Sequence, residues 1–145
     1  MKLKPFQQEQ PHTCAVACLR TVAHYFGIER DEATLESLCD TRFDGTTPED
    51  LAYAARKLGF SVTLSYDEPD VLAQSLQRTL PVIVFLGIPT ANSIENHAVT
   101  ITALDEQEVI YLDPTDALEH RLSRETFFAY WEYLYHVAIL ITPSR

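Results

Sequence analysis

Apolar residues dominate the stretch from Cys14 to Phe26 and recur at the three- and four-residue spacing of a helix that is buried on most sides. Thr13 precedes this stretch as a favourable N-cap residue, and Gly27 follows it in a position where helices commonly end. Three polar side chains share one side of the helix, which predicts a narrow stripe facing solvent: Arg20, Thr21 and His24. We expect this helix to lie at the centre of the domain.

The rest of the chain divides into a helical first half and a strand-rich second half. Periodic apolar residues predict further helices at residues 32–38, 48–58, 70–79 and 124–134. Strand patterns occur at residues 60–66, 81–87, 97–104, 108–113 and 135–142, with a polar loop at 88–96. This order indicates an α+β fold, in which an N-terminal helical layer packs on a mostly antiparallel sheet within a single domain, 1–145.

Charge and cysteine content argue against several classes of function. The 145-residue chain has a formal net charge of −10, which disfavours nucleic acid and anionic membrane surfaces as partners. The first residues lack the apolar run of a signal peptide, and no apolar run is long enough to be inserted across a bilayer. The three cysteines are an odd number, so we expect free thiols in the reducing cytoplasm.

No cofactor and no metal site is expected from the sequence. The chain has only four glycines and no phosphate-binding loop, and its cysteines and histidines do not follow the spacing of zinc ligands. Cys14 and Cys18 lie one helical turn apart, but two such ligands are too few for a metal site.

Cys14 occupies the start of the central helix, where the helix dipole and the free backbone N–H groups favour an anion. A thiol in this position ionises more readily, and the thiolate is the nucleophilic form. A small buried residue without chemistry would fit the same position. A catalytic role therefore depends on finding a base and a group that orients it.

His97 is the strongest candidate for that base. It follows the polar loop and begins an apolar strand, so we expect its ring at the edge of the sheet beside a cleft. Asp113 ends the partner strand of the same hairpin, and its carboxylate can hold the imidazole because the two strand ends lie side by side. Without the cysteine helix, the same two residues would fit an ordinary loop and turn.

Gln8 can bring a side-chain amide to the place where the helix N–H groups point, and Gln7 and Gln10 are competitors for that role. His12 is closer to Cys14 in sequence than His97, but it precedes the helix. The other histidines fit surface or structural positions: His24 on the polar stripe, His120 in an acidic loop and His136 at the start of the last strand.

A series of motifs extends over nearly the whole chain: Gln8 to Gly27, Gly45 to Gly59, Pro81, Asn96-His97, Tyr111 to Pro114, and the aromatic pair Phe127 and Trp131. In order and spacing they resemble the bacteriocin-processing, double-glycine leader peptidases, a papain-like cysteine protease family. The resemblance implies a papain-like fold with Cys14 as nucleophile, His97 as general base and later acid, Asp113 as orienting group and Gln8 as oxyanion donor.

The resemblance also implies a substrate and a partner. Family members cut after a Gly-Gly pair in a leader peptide, through a narrow cleft that admits only glycine next to the cut. Many of them form the N-terminal domain of peptide-exporting ABC transporters. We therefore expect a peptide or protein substrate that carries such a leader, and an ABC transporter as partner of this stand-alone domain.

Two residues depart from the family pattern, which has Asp before the nucleophile and Gly after it. Here they are Thr13, which we expect to cap the helix, and Ala15, whose methyl group we expect where the substrate backbone passes. Two alternatives stay open. Besides a hydrolytic peptidase, the chain could be a catalytically silent module that binds a peptide or docks on a transporter, or an enzyme that passes its acyl group to an acceptor other than water.

Overall fold

The computed structural model describes residues 1–144, and its sheet carries helices on both faces. The helices are α1 (Cys14–Tyr25), α2 (Glu32–Leu38), α3 (Pro48–Lys57), α4 (Asp70–Gln77) and α5 (Arg124–Glu132). The strands are β1 (Phe60–Ser65), β2 (Val82–Pro89), β3 (Ile94–Leu104), β4 (Glu108–Asp113), β5 (Leu118–Ser123) and β6 (Ala138–Pro143). Within residues 1–144, none of these helices is both long enough and apolar enough to cross a membrane.

Side-chain caps set the starts of three helices. Asp31, Thr47 and Ser123 each accept a hydrogen bond from the backbone N–H three residues later, at 2.9, 3.1 and 3.1 Å respectively. These caps satisfy donors that the first turn of a helix leaves unpaired. The predicted starts of α2, α3 and α5 are therefore confirmed, while α3, α4 and α5 end one or two residues earlier than predicted.

The central helix ends in the way that Gly27 predicts. Gly27 has φ +90°, a conformation that costs glycine little. Its N–H donates to the carbonyl of His24, and the N–H of Ile28 donates to that of Ala23, at 3.0 and 2.9 Å. This pair of bonds is the Schellman arrangement, which satisfies the last carbonyls of the helix.

The predicted solvent-facing stripe of α1 is wrong at Thr21. Its side chain is buried, because the N-terminal arm of residues 1–8 crosses the helix there. The Thr21 hydroxyl donates to the carbonyl of Ala17 and accepts from the N–H of Phe6. The Phe6 ring lies beside His24 and under the guanidinium of Arg20, at 5.5 and 4.1 Å between centres. The arm therefore covers the stripe.

The six strands form one antiparallel sheet in the order β1-β6-β2-β3-β4-β5. β2 and β3 extend further than predicted and pair as far as Pro89 and Ile94, so the predicted polar loop shrinks to residues 90–93. β6 begins at Ala138 instead of residue 135, because Tyr135 and His136 have positive φ and form a turn. β5 was not predicted and forms one edge of the sheet.

Two apolar cores lie on opposite faces of the sheet. Helices α1, α2 and α3 pack on one face, and α4 and α5 pack on the other. Successive residues of β2 alternate between the cores: Ile83 and Phe85 face the first, and Val82 and Val84 face the second. Burial on both faces explains why β2 is a continuous apolar run. The predicted α+β fold is confirmed, with helices on both faces.

Candidate active site

The nucleophile candidate, Cys14, is the first residue of α1 and is half-buried. Thr13 stands at the N-cap position, but its side chain makes no capping bond; its hydroxyl binds the N–H and carbonyl of Gln10 instead, at 3.1 and 3.0 Å. The prediction that Thr13 caps the helix through its side chain is therefore wrong. Because no side chain occupies the helix start, its N–H groups remain available to an anion.

His97 and Asp113 meet at one edge of the sheet, as the hairpin predicts. The Nε2 atom of His97 in β3 lies 2.8 Å from Oδ1 of Asp113, the last residue of β4. Each of the two side chains is only 17% exposed, so the bond is shielded from water. Since Nε2 is engaged by Asp113, the other ring nitrogen, Nδ1, is the one left for Cys14.

Cys14 and His97 are tuned to carry opposite charges. Burial raises the pKa of the Cys14 thiol, but hydrogen bonds from the His97 ring and the N–H groups of Ala98 and Ala15, together with the imidazolium charge, bring it below its usual 9.0. Burial lowers the pKa of His97, yet Asp113 and Cys14 raise it from 6.5 to about 10. Both shifts favour a thiolate paired with an imidazolium, which is the reactive form of a cysteine nucleophile.

Asp113 stays ionised throughout the useful pH range. Burial raises its pKa, but the hydrogen bond with His97 and the N–H of Thr115 lower it from 3.8 to about 2. The Thr115 N–H donates to Oδ1 at 2.9 Å, and the Thr115 hydroxyl lies 3.5 Å from Nε2 of His97. Sequence reasoning missed Thr115; the signal is its place two residues after an aspartate in a turn.

Gln8 lies beside the same turn, but its side chain does not point a donor at Cys14. Its backbone N–H donates to the carbonyl of Pro114 at 2.8 Å. Its side-chain Nε2 donates to the carbonyls of Gln10 and Pro11, at 2.9 and 3.2 Å, while its Oε1 is buried without a partner. The oxyanion role expected for Gln8 is not formed in this arrangement of the side chain. The competing Gln7 donates to the carbonyl of Thr115 at 3.1 Å.

The other four histidines are each held by a partner of their own. These pairs are His12 with Glu36, His24 with Glu29, His120 with Asp116, and His136 edge-on to the Trp131 ring. The prediction that His120 lies in a loop is wrong, because it lies in the edge strand β5.

Ala15 does not stand where the sequence analysis places it. Its side chain is only 2% exposed and belongs to the core beneath α1. The methyl group therefore packs inward, so the expected position of this methyl group beside the substrate backbone is wrong. Its backbone N–H, in contrast, helps to lower the pKa of the Cys14 thiol.

The remaining two thiols have the opposite character to Cys14. Burial raises the pKa of Cys18 far above its usual value, and burial together with nearby acids raises the pKa of Cys39 to about 12. Both are buried and protonated at neutral pH, which leaves Cys14 as the reactive thiol among residues 1–144.

Comparison with known proteins identifies the family of the chain. The model of the peptidase C39 family matches residues 2–145. The chain is 29% identical over 138 residues to the pediocin PA-1 transport/processing ATP-binding protein PedD of Pediococcus acidilactici; the match covers 94% of this chain and 18% of that protein. The chain thus spans about a fifth of the length of this curated relative.

Solved structures show the same fold. The peptidase domain of Streptococcus ComA, a bifunctional ABC transporter involved in quorum sensing, matches with a TM-score of 0.82 and 27% identity, over 97% of this chain and 98% of that one. A putative C39-like peptidase from Bacillus anthracis matches with a TM-score of 0.79 and 20% identity, over 97% and 95% of the two chains. The papain-like fold and the resemblance stated from the motifs are confirmed, and this chain is a cysteine peptidase that belongs to the peptidase C39 family.

Proposed function

We propose that this chain is an endopeptidase that cuts directly after a Gly-Gly pair in the leader of a peptide precursor, through an acyl-enzyme intermediate on Cys14. The observation that carries the proposal is the meeting of three side chains from three elements: the thiol of Cys14 at the start of α1, whose pKa the His97 ring lowers, His97 on β3, and Asp113 at the end of β4, bonded to His97 at 2.8 Å. In this line Cys14 is the nucleophile, His97 the proton carrier and Asp113 its orienting group.

The chemistry follows from the charge state of the pair. The Cys14 thiolate attacks the carbonyl carbon of the scissile bond, and its negative charge moves to the carbonyl oxygen. When the C–N bond breaks, the His97 imidazolium gives its proton to the leaving amine and a thioester remains on Cys14. Neutral His97 then takes a proton from water, the hydroxide attacks the thioester, and the thiolate leaves as the free acid forms.

The developing oxyanion needs donors beside the sulfur. The uncapped start of α1 supplies backbone N–H groups, including that of Ala15. We propose Gln8 as a second donor: a turn about its side-chain torsions would exchange its bonds to the Gln10 and Pro11 carbonyls for one to the oxyanion. The buried Oε1 atom without a partner supports a side chain that has a second resting position.

Relatives support the choice of substrate and partner. One structural neighbour, with a TM-score of 0.80 and 18% identity over 99% of this chain and 93% of that one, is a double glycine motif protease from an AMS/PCAT transporter, solved in complex with the leader peptide. PedD combines transport and processing in one protein. We propose that the present chain likewise takes a leader peptide and works beside an ABC transporter. Its three free cysteines support a cytoplasmic location.

A pair of matched peptides tests the proposal. A synthetic leader ending in Gly-Gly before a short cargo, and the same peptide with Ala-Ala, are incubated with the wild-type chain and with Cys14→Ala, and the products are identified by mass spectrometry. We expect only the wild type to cleave the peptide after the second glycine. Its cleavage of the Ala-Ala peptide should be at least about a hundredfold slower, since each added methyl group must fit the narrow cleft that the resemblance implies. Equal cleavage of both peptides would overturn the specificity.

The same experiment separates the alternatives. If the chain is a silent binding module, the wild type and Cys14→Ala would bind the Gly-Gly peptide equally well, and neither would release a product. A transferase would give little free acid but would form a conjugate when a small amine is added. The thiolate–imidazolium pair favours catalysis over silent binding, because a binding surface has no need of a charged thiol.

A further inference from the structure

A buried carboxylate outside the catalytic line holds the loop that leads into the nucleophile helix. Glu32, the first residue of α2, is only 2% exposed. Glutamate is seldom buried to this degree unless its charge is paired or hydrogen-bonded. The catalytic steps described above do not use this carboxylate, so its burial needs another explanation.

The partners of Glu32 all belong to the segment of residues 8–13. Both carboxylate oxygens accept from the backbone N–H of Glu9, at 3.0 and 3.1 Å. The hydroxyl of Thr13, which binds both backbone groups of Gln10, counteracts part of the rise that burial causes in the pKa of Glu32. One side chain of α2 thus holds the segment at Glu9 with both of its oxygens.

The 8–13 segment connects three parts of the active site. Gln8 binds the carbonyl of Pro114, the residue after Asp113, and its side-chain amide rests on the carbonyls of Gln10 and Pro11. Thr13 leads directly into Cys14. A shift of this segment would therefore move the proposed oxyanion donor relative to the sulfur, and misplacements of about 1 Å at such groups can cost about a hundredfold in rate.

We propose that Glu32 is a positioning residue of the active site: its carboxylate fixes the 8–13 segment and thereby holds Gln8 in register with Cys14 and with the Asp113 turn. The proposal rests on the function proposed above, and it assigns no contact between Glu32 and the substrate. Glu32 acts only through the segment that it binds.

The experiment compares two replacements of Glu32 with a control in the same helix. Glu32→Leu removes both acceptors, whereas Glu32→Gln keeps one oxygen for the Glu9 N–H. Leu35→Ala, at a fully buried residue of α2 that faces the core, lowers stability but leaves the two hydrogen bonds of Glu32 in place. For each variant, kcat and KM on the Gly-Gly peptide are measured, together with amide hydrogen exchange of residues 8–13.

We expect Glu32→Leu to lower kcat about tenfold or more with KM changed less than twofold, and to speed exchange across residues 8–13. Glu32→Gln should recover kcat to within about threefold of wild type, and Leu35→Ala should keep it. Unchanged kcat in Glu32→Leu, or a loss no larger than that of Leu35→Ala, overturns the proposal.

If the wild type cuts no Gly-Gly peptide, the proposed function fails alone. Exchange then decides: faster exchange at residues 8–13 in Glu32→Leu than in Leu35→Ala supports the anchor, and equal exchange overturns it.

Discussion

Asp113→Asn tests whether the negative charge behind His97 sets the charge state of that ring. The asparagine oxygen can still accept the bond from Nε2 of His97, which is 2.8 Å long in the parent chain, and the bond from the N–H of Thr115, which is 2.9 Å long. The substitution therefore keeps the orientation of the ring and removes only the charge.

The expected size follows from the short distance between the two groups. Burial lowers the pKa of His97, but Asp113 and Cys14 raise it from 6.5 to about 10. Burial raises the pKa of Asp113, but His97 and Thr115 lower it from 3.8 to about 2. An opposite charge at such a distance shifts a pKa by about 1–3 units. We therefore expect the pKa of His97 to fall from about 10 by about 1–3 units in Asp113→Asn.

An NMR titration of the His97 ring measures this pKa directly, and the alkaline limb of kcat/KM should move with it. Asp116→Asn is the matched control, because Asp116 is in the same turn but binds His120. Asp113→Ala should lose both orientation and charge, and should cut kcat/KM at least tenfold more than Asp113→Asn. An unchanged pKa of His97 in Asp113→Asn, or an equal fall in Asp116→Asn, would refute the reasoning.

Three further predictions address the thiol, the pH dependence of stability and the packing of β2. Iodoacetamide at pH 7 should label Cys14 at least tenfold faster than the two buried cysteines, as peptide mapping would show; equal labelling would contradict the ion pair. Because the folded-state pKa of His97 lies above its unfolded value of about 6.5, its charge stabilises the fold fully below pH 6.5 and progressively less up to pH 10. Urea unfolding should therefore show a loss of stability over that window that is absent in His97→Asn. Gly87→Ala should cost about 1–3 kcal/mol, because the added methyl would lie 2.6 Å from Cβ of Tyr133; the double variant with Tyr133→Gly should recover part of it, and full stability of Gly87→Ala would count against the close contact.

The helix starts and the His97–Asp113 pair could be predicted because both depend on local signals. Asp31, Thr47 and Ser123 cap their helices whatever the rest of the chain does, and a hairpin brings the ends of its own strands together. The line from Cys14 to His97 joins distant parts of the chain, and it was reachable only through the chemistry that a nucleophilic thiol requires.

The errors arise where tertiary contacts decide. Residues 118–123 show little apolar pattern because β5 is an edge strand with mostly exposed side chains, so only its pairing with β4 defines it. Glu95 and Asn96 near the start of β3 are also polar and exposed, and they are held by their pairing with β2. The helical pattern predicts Thr21 as a surface residue, but the N-terminal arm covers it in the structure. Periodicity carries no information about such a covering segment.

The position of β6 has a consequence for how the chain folds during its synthesis. This strand inserts between β1 and β2, which precede it by many residues and do not pair with each other. A growing chain on the ribosome therefore contains Cys14 early, but β1 has no partner strand until residues 138–143 emerge. Pairings between distant segments form late in folding. We therefore expect nascent chains that still lack residues 138–143 to have no peptidase activity.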